Sequence, residues 1–374
     1  MAQLSDRMRA LVQPHLASIE PYDPAFTPTR INLSANENTY PLPPTVRTAI
    51  DDALSATPLN RYPDPMSNRL RDLIAARGGH SRQQICVGNG GDELLFNFLM
   101  AFGGPGRTLL NCPPAFSEYE FFASVNQTQV ERVWRDSVTF ELDMPRTLEA
   151  ASHANMVILT SPNNPTGNLV SAQEVEQVCE ACPGMVMVDE AYIEFADLGS
   201  SVEALLPNHP NLVVLHTLSK AFGEAGVRCG YVVAAHDVID VFAAVRQIYS
   251  VNVLTQAAAE VAMRLDVMFE PIVQQIRSER ERMFAALQTL IEGLGAASGE
   301  LAPAVWPSQG NFLLLRVPGA ADVRTRLRDE YSILARDFSA APGLAGCLRI
   351  TVGTPQENDE VLRALSQLLK EERS

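Results

Sequence analysis

The sequence predicts an α/β protein: a large domain with a seven-stranded, mostly parallel sheet plus a smaller α+β domain. Three observations predict it. Short apolar runs alternate with helix-like stretches from about residue 68 to 255, the pattern of a parallel sheet covered by helices on both faces. After residue 255 that alternation gives way to long helical runs and a few separate strands. The chain has 374 residues, 46% of them hydrophobic, enough for more than one core.

The strand candidates are ICV (85–87), TLLNC (108–112), QVERVW (129–134), MVILT (156–160), MVMVD (185–189), LVVLH (212–216) and VRCGYVV (227–233). Helical stretches fall between most of them. Ser67 to Ala76 ends at Gly78, Asp92 to Phe102 ends at Gly103, and Ser171 to Ala181 opens on a capping box, Ser171 with Glu174. The last two strands are joined by only about ten residues. That is too short for a helical crossover, so a locally antiparallel pair or a functional loop is expected there. Beyond residue 255 a helical run meets Pro271, where a break or kink is expected. A second run follows through Leu294, then strands at 311–317 and 347–353 around a helix (322–330) and ILARDF, and a final helix from Glu357. The first fifty residues are proline-rich and read as irregular. The expected division is 50–255 for the large domain, with 1–49 joining 256–374 in the small one.

Charge and composition narrow the function. Lys plus Arg is 29 against 44 Asp plus Glu, a formal charge of −15. So acidic a chain is a poor candidate for nucleic acid or an anionic membrane, and an anionic substrate would need local arginines to override the global field. No stretch reaches the roughly 18–20 apolar residues of a membrane helix, and the N-terminus lacks the apolar core of a signal peptide. A cytoplasmic location is expected, and the six cysteines fit it as free thiols. Cys179 and Cys182 form a C-x-x-C, but without a second pair or a nearby histidine it reads as structural rather than metal-binding. The six histidines are scattered, and no metal site is expected.

Among the 29 cationic residues only two are lysines, Lys220 and Lys370. Lys370 lies in the polar C-terminal end. Lys220 lies mid-chain between two strand-like runs. Arginine cannot readily lose its proton and serve as an amine nucleophile, whereas a lysine in a tuned site can.

In open α/β sheets ligands bind beyond the carboxyl ends of the strands. Four unusual loops lie at such positions. GNGGDELL (88–95) offers glycines and a helix start, a ready phosphate cradle. SPNNPTG (161–167) is stiffened by two prolines and presents the Asn164 amide. DEAY (189–192) places a carboxylate where the sheet ends, able to pair with a protonated ring nitrogen. TLSKAFGEAGVRCG (217–230) surrounds Lys220 with Thr217, Ser219 and Arg228. Hydroxyls and a guanidinium suit phosphate, and a nearby cation disfavours a charged ammonium. Each loop alone has a plainer reading as a turn or a helix cap. Four in chain order make coincidence a poor explanation.

Together these segments resemble the fold-type I aminotransferases that use pyridoxal 5′-phosphate (PLP), and within them the histidinol-phosphate aminotransferase branch. The resemblance runs from INLSANEN and NRYPDP to GNFLLLR and LRITVG, nearly the whole chain. It implies the PLP-transferase fold of type I. It also implies that Lys220 is the Schiff-base lysine, that Asp189 partners the pyridinium nitrogen, and that Tyr192 and Asn164 donate to the ring's 3-oxygen. Gly91, Asp92, Thr217, Ser219 and Arg228 fall where the family holds the cofactor phosphate. Phe116 sits where an aromatic ring stacks on the cofactor, although tyrosine is commoner there in this branch. Tyr62 resembles the tyrosine that reaches the neighbouring subunit's cofactor, which implies a homodimer. Arg349 resembles the arginine that binds the substrate's anionic group, and Arg336 and Tyr22 match positions that help fix substrate.

The implied reaction is ping-pong transamination between an amino donor and a 2-oxo acid, most simply histidinol phosphate and 2-oxoglutarate in histidine biosynthesis. Two departures bear on the substrate: NENTYPLP replaces the usual NENPYGP-like stretch, and EPYDPAFTP lacks the glycine common after that proline. An aromatic-amino-acid aminotransferase and a threonine-phosphate decarboxylase belong to the same branch and are the alternatives. A non-catalytic PLP-binding regulator would want a DNA-binding module. A nicotinamide dehydrogenase would want GxGxxG, which GNGGDE does not match.

Overall fold

A computed structural model gives the architecture of residues 4–18, 27–292, 294 and 301–371. In chain order the strands are β1 (Ile31–Asn32), β2 (Ile85–Gly88), β3 (Thr108–Asn111), β4 (Gln129–Arg132), β5 (Met156–Thr160), β6 (Met185–Asp189), β7 (Leu212–Thr217), β8 (Gly230–Ala234), β9 (Ala304–Val305), β10 (Phe312–Arg316), β11 (Ile333–Leu334), β12 (Arg336–Asp337) and β13 (Cys347–Thr351). Strands β2 to β8 form one seven-stranded sheet in the order β2-β8-β7-β6-β5-β3-β4. Pairing is parallel from β7 through β6, β5 and β3 to β4, and only β8 runs against its neighbours. This is the mostly parallel sheet the sequence predicts.

The strands read as unbroken apolar runs because both faces are covered. Val186, Val188, Leu212 and Val214 belong to one core, while Met187, Val213 and Leu215 belong to the core on the opposite face. The short β7–β8 connection does join an antiparallel pair. Two predicted runs end differently. VRCGYVV becomes a strand only at Gly230, because Ala225–Val227 winds into a 3-10 turn and Arg228 takes φ 61°. QVERVW stops at Arg132.

A second sheet is antiparallel throughout, in the order β12-β13-β10-β9. The ILARDF run splits at Ala335. β11 pairs in parallel with β1, and β12 pairs with β13. Leu33 N–H then donates to the Leu334 carbonyl at 2.9 Å, and Thr351 N–H to the Leu33 carbonyl at 2.9 Å. The segment after residue 30 is thereby fixed beside the C-terminal strands, next to the edge where the large sheet ends.

Helix ends follow local chemistry. The helix Asn68–Gly78 stops where Gly79 turns left-handed at φ 72°, and Ser171 and Glu174 form the reciprocal capping box. The break expected near Pro271 is real: the helix Val253–Arg264 gives way to a 3-10 turn, Asp266–Phe269. A new helix then runs Glu270–Glu292. Pro271 falls in its first turn, where a missing N–H removes no helical bond. The irregular reading of the first fifty residues is corrected, since helices form at Asp6–Leu11 and Pro44–Ala56. Pro44 opens the second of these, and Val46 and Ile50 bury its inner face. Among the described residues no helix is long and apolar enough to cross a membrane.

Candidate active site

Register decides what meets at the sheet edge. Thr160 at the end of β5 is the partner of Asp189 at the end of β6, and Asp189 is the partner of Leu215 in β7. The loops beyond these ends enclose a cavity of about 510 Å³. It is lined by twelve of the residues expected from sequence: Gly91, Asp92, Phe116, Asn164, Asp189, Tyr192, Thr217, Ser219, Lys220, Arg228, Arg336 and Arg349. Tyr62 is elsewhere, 80% exposed and stacked on Tyr249 at 4.5 Å between ring centres. Tyr22 lies outside the described residues.

Lys220 sits in the loop between β7 and β8. That loop is closed at its base by Leu218 N–H to the Cys229 carbonyl at 3.0 Å, with a tight turn from Lys220 carbonyl to Gly223 N–H. Nζ donates to the Ala35 carbonyl at 3.0 Å and lies 5.8 Å from the centre of the Tyr192 ring. Burial, and then the Arg349 guanidinium, pull the ammonium down to about 8. Such an amine is partly neutral near physiological pH, which a nucleophile or proton carrier requires.

Asp189 is buried, and no cationic side chain hydrogen-bonds to it among the described residues. Oδ1 accepts the Ala191 N–H at 3.0 Å, and Oδ2 accepts the Tyr119 hydroxyl at 2.7 Å. Burial raises its pKa, opposed by the bonds from Tyr119 and Ala191. A buried carboxylate lacking a cation is costly unless a ligand supplies one.

The helix Gly90–Phe102 begins at the cavity wall, and the side chain of its N-cap residue, Asn89, makes no capping bond to its first N–H groups. Its approach is close: a Cβ added at Gly230 would stand 2.8 Å from the Gly91 nitrogen. Arg228 is brought to this end by its left-handed backbone and bonds Asp92 at 2.8 Å. Thr217 Oγ1 lies 3.0 Å from Ser219 Oγ. Free N–H groups at a helix start, two hydroxyls and a guanidinium are the donor set for a phosphate.

Opposite, Arg336 and Arg349 are direct partners across β12 and β13. Their side chains therefore share a face, where two like charges repel unless an anion lies between. Arg349 donates to Asn164 Oδ1 and to the Ser34 carbonyl, each at 2.5 Å. It packs between the rings of Phe312 and Phe338, 5.5 and 5.6 Å away. The Tyr192 hydroxyl accepts from Asn36 Nδ2 at 3.0 Å.

The lining or supporting residues that were not picked out from sequence include Ser34, Asn36, Glu37, Tyr119, Thr160 and Phe338. Asn36 and Glu37 lie inside the NEN stretch already singled out as distinctive, a signal that could have found them. Tyr119 follows Phe116 by three residues, in the first turn of the helix that opens just after it, and this closeness in sequence is the one signal that could have pointed to it. Ser34 contributes its carbonyl, which no residue-type pattern announces. The six cysteines are all buried and free, and among the described residues no group of three or more His, Cys, Asp or Glu is arranged to hold a metal.

Comparison with known proteins bears on the fold and the family. The chain is 36% identical over 354 residues to histidinol-phosphate aminotransferase 1 of Carboxydothermus hydrogenoformans, covering 94% of this chain and 97% of that one. It is 38% identical over 352 residues to the histidinol-phosphate aminotransferase of Thermococcus gammatolerans, covering 94% and 95%. The crystal structure of histidinol-phosphate aminotransferase from Sinorhizobium meliloti in complex with pyridoxal-5′-phosphate shares the fold, with a TM-score of 0.85, 24% identity, and coverage of 96% of this chain and 98% of that one. The family model described as aminotransferase class I and II matches residues 28–365, so the chain belongs to the class I and II aminotransferases.

Proposed function

We propose that the protein transfers the amino group of histidinol phosphate to 2-oxoglutarate in histidine biosynthesis, with PLP as cofactor. The two relatives reported above are named histidinol-phosphate aminotransferases, and they align over almost their entire length. The observation that carries the reading is the pairing of a lysine of lowered pKa with a buried carboxylate, to which no cationic side chain bonds among the described residues, across one cavity, with a phosphate donor set at one end.

The residues fit the cofactor. Asp189 lacks a cation that a protonated ring nitrogen would supply, and the uncapped helix start with Thr217, Ser219 and Arg228 suits its phosphate. Gly91 and Asp92 would contribute at that helix start, Phe116 would cover the ring, and Tyr192 and Asn164 would hold its oxygen, all five lining the same cavity. When bound, PLP supplies an electrophilic carbon for the amino nitrogen and a ring that withdraws electrons from the substrate's α-carbon.

Lys220 Nζ takes the proton from the substrate's α-carbon and delivers it again, which a partly neutral amine can do. Proton transfer by a positioned group is typically worth about 10²–10⁴-fold. Asp189 holds a proton on the ring side by staying ionised. Arg349 and Arg336 clamp the substrate's anionic group, with Tyr22 as a further contact. The exposed Tyr62, stacked on Tyr249, is where we place a second copy of the chain, with Tyr62 reaching its cavity. Residues 50–255 form the cofactor-binding unit in this reading, and 1–49 with 256–374 the smaller one, in a cytoplasmic enzyme.

The Phe116 and Phe338 rings on the cavity wall favour a second reading, an aromatic-amino-acid aminotransferase. Single-turnover absorbance on PLP-loaded protein separates the two. Histidinol phosphate should react much faster than phenylalanine, and the reverse order would overturn the assignment.

A further inference from the structure

Tyr119 is wholly buried in the first turn of the helix Glu118–Val125, yet its hydroxyl reaches the cavity. It lies 2.7 Å from Asp189 Oδ2 and 2.7 Å from Thr160 Oγ1. Proton counting orders these contacts. An ionised carboxylate only accepts, and a phenol has one proton. If Tyr119 donates to Asp189, the hydroxyl of Thr160 must donate to Tyr119. A directed chain results, Thr160 to Tyr119 to Asp189, in which each bond polarises the next.

The chain is fixed by packing at every member. Thr160 and Asp189 are register partners on adjacent parallel strands, so neither can slide against the other. Tyr119 packs edge-on to Phe116 at 5.6 Å and 85°, so it also braces the ring expected over the cofactor. The Ala191 N–H occupies Oδ1, while Tyr119 occupies one side of Oδ2. The carboxylate therefore has a fixed rotation and limited lone pairs left for a ligand. The other charges that reach Asp189 are Asp92 and His216.

We propose that Tyr119, backed by Thr160, is a positioning residue that keeps Asp189 ionised and sets the oxygen it offers to the cofactor's ring nitrogen. This rests on the PLP reading above. Burial drives Asp189 toward the neutral acid, which could not hold a proton on that nitrogen by charge. Tyr119 supplies the opposing bond without adding a competing cation.

The test uses PLP-loaded holoenzyme and follows two readouts, the pH titration of the bound cofactor's visible absorbance and the separate values of kcat and KM. Tyr119→Phe keeps the ring and removes only the hydroxyl. It should shift the titration and lower kcat by about 10- to 100-fold, the size of a lost hydrogen bond to a charged group, with KM changed far less. Thr160→Val should move both readouts in the same direction by a smaller factor, and Thr160→Ser, which keeps the hydroxyl, should restore them. If Tyr119→Phe fails to fold, the Thr160→Val and Thr160→Ser pair decides alone. Titrations and kcat within twofold of the parent for the phenylalanine and valine variants would overturn the proposal. Absence of any cofactor band in the parent protein would instead refute the PLP reading.

Discussion

Arg349 donates from Nη1 to Oδ1 of Asn164 at 2.5 Å, tying a strand of the small sheet to the loop that follows β5. Because the amide oxygen is held, Nδ2 of Asn164 is the end left to donate elsewhere. On the proposed reading, one hydrogen bond mechanically joins the residue assigned to substrate with the residue assigned to the cofactor. Arg349→Lys cannot reproduce the planar fork. We expect KM for the amino donor to rise by about 10- to 100-fold, the scale of a charged hydrogen bond. The cofactor's absorbance should shift as well, because the Asn164 amide is released. Steady-state kinetics with a spectrum of the loaded protein checks both.

Lys220 should set how fast the cofactor is captured, because only the neutral amine attacks. With its pKa pulled down to about 8, the capture rate should rise about tenfold per pH unit below that value and level off above it. Rapid-mixing absorbance between pH 6 and about 9.5 measures the profile. A plateau only above pH 10 would mean that burial and Arg349 do not act as described.

Glu224 lies in the same loop, 2% exposed, and neither carboxylate oxygen finds a hydrogen-bond partner among the described residues. Burial alone pushes it up to about 8. The folded pKa is raised above the unfolded one, so stability is greatest at acid pH and falls as pH climbs toward 8, at most about 1.4 kcal/mol per unit. Glu224→Gln abolishes that slope. Its melting temperature should exceed the parent's at pH 8 and approach it near pH 5, as thermal unfolding at the two pH values would reveal.

Gly230→Ala places a methyl 2.8 Å from the Gly91 nitrogen, with strand on one side and helix start on the other. Overpacking of this kind costs about 1–3 kcal/mol. Because the displaced atoms belong to the expected phosphate cradle, PLP affinity should fall together with stability. Equilibrium dialysis and denaturant unfolding read the two effects separately.

How much of this was legible in the sequence depended on chemistry that residue type announces. Lys220 stood out as one of two lysines in an arginine-rich chain. Asp189 and Asn164 stood at the ends of apolar runs, where parallel-sheet logic puts ligands. Tyr119 did not stand out, since a tyrosine beside phenylalanines reads as core, and only the register of Thr160 against Asp189 gives its hydroxyl a task. The Arg336 and Arg349 pair was read as two separate contacts, because a break at Ala335 that moves the chain between sheets leaves no period to detect. The helix Pro44–Ala56 was hidden by its own opening proline, which marks a helix start as readily as an irregular segment.

Borohydride reduction of the PLP-loaded protein, followed by peptide mass analysis, asks directly whether Lys220 carries the cofactor. The expected result is a reduced pyridoxyl-phosphate adduct on the peptide containing Lys220, absent from Lys220→Ala, which should still hold PLP through its phosphate site while turnover is nearly abolished. An unmodified Lys220 peptide, or an adduct on Lys370 instead, would contradict it.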